Sequence, residues 1–194
     1  MKLQEIELRA LLTPAQKNKL QKMLAGEEYV FVKEVKVLDA YFCPHSVKQF
    51  SEIEMDSVGS FSLRLRQSIQ GSEKKNELNI KVITKFGDHQ AWDEHEVRVD
   101  DYKQMAMILK AIGFKVFFEF TKVRRVFRRE RCTIFLEDIK KFGSCVEIEI
   151  MAPANKAESA KSEIKDLLRQ LGVADNQIVK KSVTNLLMRK WSKF

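Results

Sequence analysis

Residues 144–151 read Ser-Cys-Val-Glu-Ile-Glu-Ile-Met, with carboxylates and aliphatic side chains in strict alternation. Successive side chains of a β-strand point to opposite faces. Glu147 and Glu149 therefore share one face, and Val146, Ile148 and Ile150 share the other. The same pattern opens the chain. In residues 3–10, Leu-Gln-Glu-Ile-Glu-Leu-Arg-Ala, the side chains Glu5, Glu7 and Arg9 oppose Ile6 and Leu8. Working outward, Arg64 and Arg66 oppose Leu63 and Leu65, and Asn79 and Lys81 oppose Leu78, Ile80 and Val82. Glu94, Glu96 and Arg98 oppose His95, Val97 and Val99, and Lys122 and Arg124 oppose Val123, with Arg125 on the far face by parity.

These alternations, with turn signals at 57–60, Gly71-Ser72, Gly87-Asp88 and 140–143, predict strands over 3–10, 29–42, 60–70, 76–86, 91–99, 114–129, 131–138 and 144–151. Helix signals are fewer. Thr13-Pro14-Ala15-Gln16 supplies an N-cap, a proline at the first helical position and a capping-box glutamine, and Gly26 ends that helix. A second helix starts near Asp100-Asp101 and stops before Gly113, with Met105, Ile108 and Leu109 as its apolar side. A third covers 154–171 between Pro153 and Gly172, and a last short one covers 182–191. No repeat or Pro/Gly/Ser-rich linker divides the 194 residues, so a single domain, 1–194, is expected.

The formal net charge of +8 suits an anionic partner. No apolar run approaches the ~18 residues of a membrane-spanning helix, and residues 1–10 do not read as a signal peptide. Cys43, Cys132 and Cys145 are odd in number and far apart, which suggests free thiols in a reducing cytoplasm. His45, His89 and His95 lack metal-ligand spacing and read as surface or turn residues.

Charge is what needs explaining. One wet face on an antiparallel sheet is ordinary, but here it carries Glu, Arg and Lys in place of Ser, Thr and Gln. Glutamate pairs at i, i+2 mark the first and the last long strand, and basic residues dominate the strands between. Two glutamate pairs brought together repel unless a cation lies among them, and basic residues beside them call for an anion. A metal ion bound to a polyphosphate answers both. The predicted class is α+β: a closed antiparallel barrel of about eight strands, charged inside, with helices packed outside. Carboxylate-only ligands select a hard cation, Mg²⁺ or Mn²⁺.

Six elements in order resemble the CYTH superfamily, the triphosphate tunnel metalloenzymes that include CyaB-type (class IV) adenylate cyclases and thiamine triphosphatase. They are Glu5-Ile6-Glu7-Leu8-Arg9, Asp39-Ala40-Tyr41-Phe42, Leu63-Arg64-Leu65-Arg66 followed by Lys81, Glu94 with Glu96, Lys122-Val123-Arg124-Arg125-Val126-Phe127, and Leu136-Glu137-Asp138-Ile139 leading through Gly143 to Glu147-Ile148-Glu149. The resemblance implies that Glu5, Glu7, Glu147 and Glu149, with Glu137, hold one or two metal ions. It implies that Arg9, Arg64, Arg66, Lys81, Lys122 and Arg124 grip the triphosphate. Glu94 and Glu96 would extend the metal set or orient the nucleophile. This chain departs from the family at Arg9 for lysine, Glu137 for aspartate, beside which Asp138 could serve, and Lys141 for a turn glycine.

The resemblance implies a substrate such as ATP, thiamine triphosphate or tripolyphosphate, and one of two reactions. Water attacking the terminal phosphate makes a triphosphatase, the preferred reading. A ribose 3′-hydroxyl attacking the α-phosphate of ATP makes an adenylate cyclase. Non-catalytic polyphosphate or nucleotide binding is a further alternative. The basic run Arg124, Arg125, Arg128, Arg129 and Arg131 suggests nucleic acid instead, but the paired glutamates would repel its phosphates. No membrane partner is expected, and both a monomer and a homodimer remain open.

Overall fold

The computed structural model describes residues 3–53, 57–84, 92–179 and 185–188. Its strands are β1 (Leu3–Leu12), β2 (Val30–Pro44), β3 (Phe61–Gln70), β4 (Glu73–Ile83), β5 (Trp92–Val99), β6 (Phe114–Arg129), β7 (Cys132–Ile139), β8 (Gly143–Pro153) and β9 (Ile178–Val179). The helices are α1 (Pro14–Met23), α2 (Tyr102–Ala111) and α3 (Ala157–Gln170). The architecture is mixed α+β, a large antiparallel sheet with few helices. Hydrogen bonds order the strands β5-β4-β3-β2-β6-β7-β8-β1-β9. Among the described residues no ladder joins β5 to β9, so hydrogen bonds do not close the sheet into the expected eight-stranded barrel.

The chain forms two compact units. The first comprises Met1–Val35 and Lys122–Asn185. In it β1 pairs with β8, β8 with β7 and β7 with β6. The aliphatic sides of these strands, Ile6, Ala10, Ile134, Leu136, Val146, Ile148 and Ile150, pack on Leu20 of α1, on Leu24 at its C-cap and on Ala160, Ile164 and Leu168 of α3. The predicted cap of α1 is present: the Gln16 amide nitrogen donates to Thr13 Oγ1 and the Thr13 amide donates to Gln16 Oε1 at 3.0 Å. α3 begins after a 3₁₀ turn over Ala154–Lys156, one turn later than expected. It ends in a Schellman motif, where the Val173 amide donates to the Leu168 carbonyl and the Gly172 amide to that of Arg169, both at 2.9 Å. Gly172 sits at φ 80°, the left-handed conformation this motif requires. Lys141 also takes a positive φ, 65°, in the region that favours glycine.

The second unit comprises Lys36–Thr121 and Leu186–Phe194. β2, β3, β4 and β5 pair in that order. Ala40, Phe42, Leu63 and Leu65 pack with Leu109 of α2, flanked by Tyr102, Met105 and Ala106. The helical period places residues 102, 105, 106 and 109 on the core side. Ile108, expected there, is 52% exposed instead. On the opposite side of β2, Tyr41 packs with Phe118 and Phe120 at ring separations of 6.0 and 6.4 Å.

β9, two residues long, was not foreseen, since so short a strand carries no periodicity. Of the predicted last helix, 182–191, residues 185–188 are helical and the others lie outside the described residues, as do His89 and the Gly87-Asp88 turn. Cys43, Cys132 and Cys145 are free and buried. Burial lifts each thiol, Cys132 to about 11, where Glu163 adds to the effect.

Candidate functional site

Each unit presents one charged sheet face. In the first unit the register stacks the charges in rows: Glu7 lies opposite Glu149 and Arg9 opposite Glu147 across β1 and β8. Phe135 of β7 faces Glu147 from the other side, and Arg124 of β6 faces Glu137 of β7. Because β-strand side chains alternate, Glu5, Glu7, Arg9, Lys122, Arg124, Glu137, Glu147 and Glu149 share this one face.

Its charges fall into two groups. Arg9 bridges the acids, with Nη2 2.7 Å from Glu7 Oε1 and Nε donating to Glu147. Burial works against the Arg9 charge, but Glu147 and then Glu7 outweigh it and hold the guanidinium protonated. Glu137 is 4% exposed and receives Lys122 Nζ at 2.7 Å and Arg124 Nε at 2.5 Å on Oε1. The Cys145 thiol donates to its Oε2 at 3.6 Å. Burial would raise Glu137, yet Lys122 and Arg124 bring it down to about 2. The Arg124 guanidinium also lies 4.5 Å over the Phe135 ring, a cation–π contact.

Glu149 has the opposite fate. Burial, then the charges of Glu5 and Glu147, push it up to about 7, with Arg124 only partly offsetting them. Like charges set directly opposite across a sheet destabilise it, so this corner would gain from a cation. The donors are carboxylate oxygens, which suits a hard divalent ion. Among the described residues, however, no three His, Cys, Asp or Glu side chains already converge as a metal cage. Glu147 is turned to Arg9, and Glu137 to Lys122 and Arg124.

In the second unit, one row runs Asp39, Arg66, Glu77, Arg98 across β2 to β5, and the next runs Tyr41, Arg64, Asn79, Glu96. Lys81 faces Glu94 in a third. Asp39, 1% exposed, takes a bidentate pair from Arg66, Nε to Oδ1 at 2.6 Å and Nη2 to Oδ2 at 2.8 Å. Arg64 Nε lies 3.9 Å from Asp39 Oδ1 and is buried without a hydrogen-bond partner. Glu94 accepts from Asn79 at 2.6 Å and pairs with Lys81 at 3.0 Å. Burial tends to raise Glu94, but Lys81 and Asn79 leave it below the usual carboxylate range. Glu96 is raised by burial and by its neighbour Glu77. Glu77, 7% exposed, would be raised by burial too, but the Lys75 ion pair, a hydrogen bond with Glu96 and the Arg66 charge lower it.

Sequence reasoning gave no role to Asp39, and missed Glu77. Parity with Lys81 would have put Glu77 on the charged face, but the pairing of Asp39 with Arg66 depends on register and is not readable from alternation. Asp138, considered as a substitute for Glu137, lies on the opposite face. There it pairs with Lys17 at 2.6 Å and Arg125 at 3.2 Å and accepts from Ser144 Oγ at 2.6 Å. The basic run is dispersed by ion pairs. Arg125 also meets Glu34, Arg129 meets Glu28, and Arg131 meets Glu163.

Comparison with known proteins bears on these faces. A family model described as CYTH domain matches residues 3–183. A curated protein of Methanocaldococcus jannaschii named "Putative adenylate cyclase MJ0240" is 26% identical over 95 residues, 48% of this chain and 54% of that protein. The match therefore spans about half of that relative's length. Among solved structures, the PH1819 protein of Pyrococcus horikoshii OT3 superposes with a TM-score of 0.75 at 23% identity, covering 96% of this chain and 99% of that one. A Vibrio parahaemolyticus protein described as a putative adenylate cyclase reaches 0.71 at 15% identity, covering 96% and 99%. At these identities the likeness shows a shared fold.

Proposed function

The chain belongs to the CYTH domain family, and from that premise we propose that it is a metal-dependent enzyme acting on a triphosphate, most simply hydrolysing it. CYTH proteins are generally metal-dependent. The observation that carries the reading is the corner of the first unit where Glu5, Glu7, Glu147 and Glu149 crowd together beside Arg9, Lys122 and Arg124. An acid cluster that repels itself, next to cations paired with that cluster and with Glu137, fits a metal ion with a polyanion.

In this reading Glu5, Glu7, Glu147 and Glu149 would hold Mg²⁺ or Mn²⁺. Glu137 would join them only by releasing Lys122 and Arg124. The bound metal would neutralise phosphate charge and polarise the phosphoryl group. Arg9, Lys122 and Arg124, with Arg64 and Lys81 of the second unit, would take the phosphate oxygens, since positioning and charge stabilisation supply most of phosphoryl-transfer catalysis. Glu94 would orient the nucleophile as a charged acceptor fixed by Asn79 and Lys81, and Glu96 would be the group to exchange its proton. The closed barrel is the finer form of this proposal: in it, every charged strand face lines one lumen. Both units then act as one CYTH domain, as the span of the family match supports. The free, buried thiols suit a cytoplasmic setting, and among the described residues no helix is long and apolar enough to cross a membrane.

The names of the relatives favour a second reading, conversion of ATP to cyclic AMP and pyrophosphate. Phosphorus NMR of reactions with tripolyphosphate and with ATP, each with Mg²⁺ and with Mn²⁺, separates the two. Orthophosphate from tripolyphosphate is the expected product. Equal amounts of pyrophosphate and cyclic AMP from ATP, with tripolyphosphate untouched, would establish the cyclase. Inertness toward every triphosphate tried would defeat both.

A further inference from the structure

β3 carries two arginines on its charged face, and the structure treats them differently. Arg66 sits in one register row between Asp39 of β2 and Glu77 of β4. Both oxygens of Asp39 are engaged by it, through Nε at 2.6 Å and Nη2 at 2.8 Å. Asp39 is 1% and Glu77 7% exposed, so both carboxylates of this row are shielded from water, with the Arg66 side chain half-buried between them. A guanidinium fork so occupied is pre-organised and hard to redirect. Arg64, one row along, is opposed by Tyr41 and Asn79, which carry no charge at neutral pH. Its Nε–H is buried without an acceptor, although Asp39 Oδ1 lies only 3.9 Å away.

A buried, unsatisfied donor on a cationic side chain is costly and marks where an acceptor from a ligand would be gained. Asp39 Oδ1, at 3.9 Å, is a rival acceptor, and Arg66 engages it. We propose that Arg66 is a positioning residue, which by holding Asp39 keeps Arg64 free to bind phosphate, and that Arg64 alone makes the phosphate contact from β3. This rests on the triphosphate reading above and divides its work between two arginines that the sequence presents as equals.

The arrangement predicts rescue of one variant by another. In Arg66→Gln, buried Asp39 loses the bidentate guanidinium that engages both its oxygens. The ligand-free thermal midpoint should fall by roughly 6–20 °C, as for a broken buried pair in a chain of this size. The freed carboxylate should then capture Arg64 and weaken binding of inorganic tripolyphosphate, measured by calorimetry with Mg²⁺, by at least about tenfold. Adding Asp39→Asn removes the competing carboxylate. The double variant Asp39→Asn/Arg66→Gln should regain most of the midpoint and bind tripolyphosphate within about threefold of wild type. Arg64→Gln should lose at least about tenfold whether residue 39 is Asp or Asn.

If Arg66 itself contacts phosphate, the double variant stays at least tenfold weak, and the proposal is wrong while the triphosphate reading stands. The double variant decides this even where Arg66→Gln does not fold. Wild-type protein that fails to bind tripolyphosphate overturns the triphosphate reading and the assignment of Arg64 with it.

Discussion

Glu149 and Glu137 lie on neighbouring strands and differ in one respect: Glu137 has two cations within 2.7 Å, while Glu149 is ringed by Glu5, Glu7 and Glu147. The contrast fixes a pH signature. Glu149 is raised from 4.5 to about 7 in the folded chain, so between those values the folded state binds a proton that the unfolded state has lost. Stability from this group is full below pH ~4.5 and is lost as pH rises through ~7, by something on the order of 2 kcal/mol after allowing for partial exposure. Ligand-free Glu149→Gln should therefore decline less over that window than wild type does, Glu96 being raised in both, and Mg²⁺ at pH 7.5 should stabilise wild type more. Denaturant titrations at several pH values measure this, and parallel curves for the two proteins would remove Glu149 from the cation corner. Much of this chemistry was legible in advance, because alternation assigns Glu5, Glu7, Arg9, Glu147 and Glu149 to one face without knowledge of the fold. The split between Arg64 and Arg66 was not, because it depends on which residue of β2 falls opposite each.

Elements whose ends carry their own chemistry were the readable ones. The Thr13-Pro14-Ala15-Gln16 cap sets the start of α1, and Gly172 sets the stop of α3. α2 is capped at its start by Asp101, whose Oδ1 accepts from Lys103 and Gln104 amides at 2.7 and 3.0 Å, but its apolar pattern extends to Ile108, which is exposed. An apolar residue next to a core position looks the same in sequence as one within it. The β7–β8 turn offers a test at this scale. Lys141 holds φ at 65°, a conformation costing an L-residue roughly 1–2 kcal/mol, of which glycine's greater unfolded entropy returns part. Lys141→Gly should raise stability by about 0.5–1 kcal/mol with no change in tripolyphosphate affinity. A loss of stability in urea denaturation would mean that Lys141 makes contacts worth more than the backbone strain.

For the whole chain, the sheet's strand order was beyond the sequence, because alternation reports faces and says nothing of neighbours. The need to shelter charge argues for closure, which among the described residues hydrogen bonds do not supply. Function offers a separate test of whether both charged faces serve one ligand. On adding Mg²⁺ and tripolyphosphate at 100 times Kd, binding should stabilise the chain by about 2.7 kcal/mol. Amide hydrogen exchange should slow in β1 and β8 and also in β3 and β4. Slowing confined to β1 and β8 would leave the second unit's arginines and Lys81 without a part in binding.

The burial of Cys43, Cys132 and Cys145 has a practical side. Thiol reagents act on the thiolate, and all three thiols are lifted by their surroundings, Cys132 to about 11. Near neutral pH the native chain is thus close to silent toward maleimides. A dye or spin label can be attached at an added surface cysteine with the native three left in place. Conversely, the slow reaction of those three on incubation times the opening of β2, β7 and β8, each of which carries one of them.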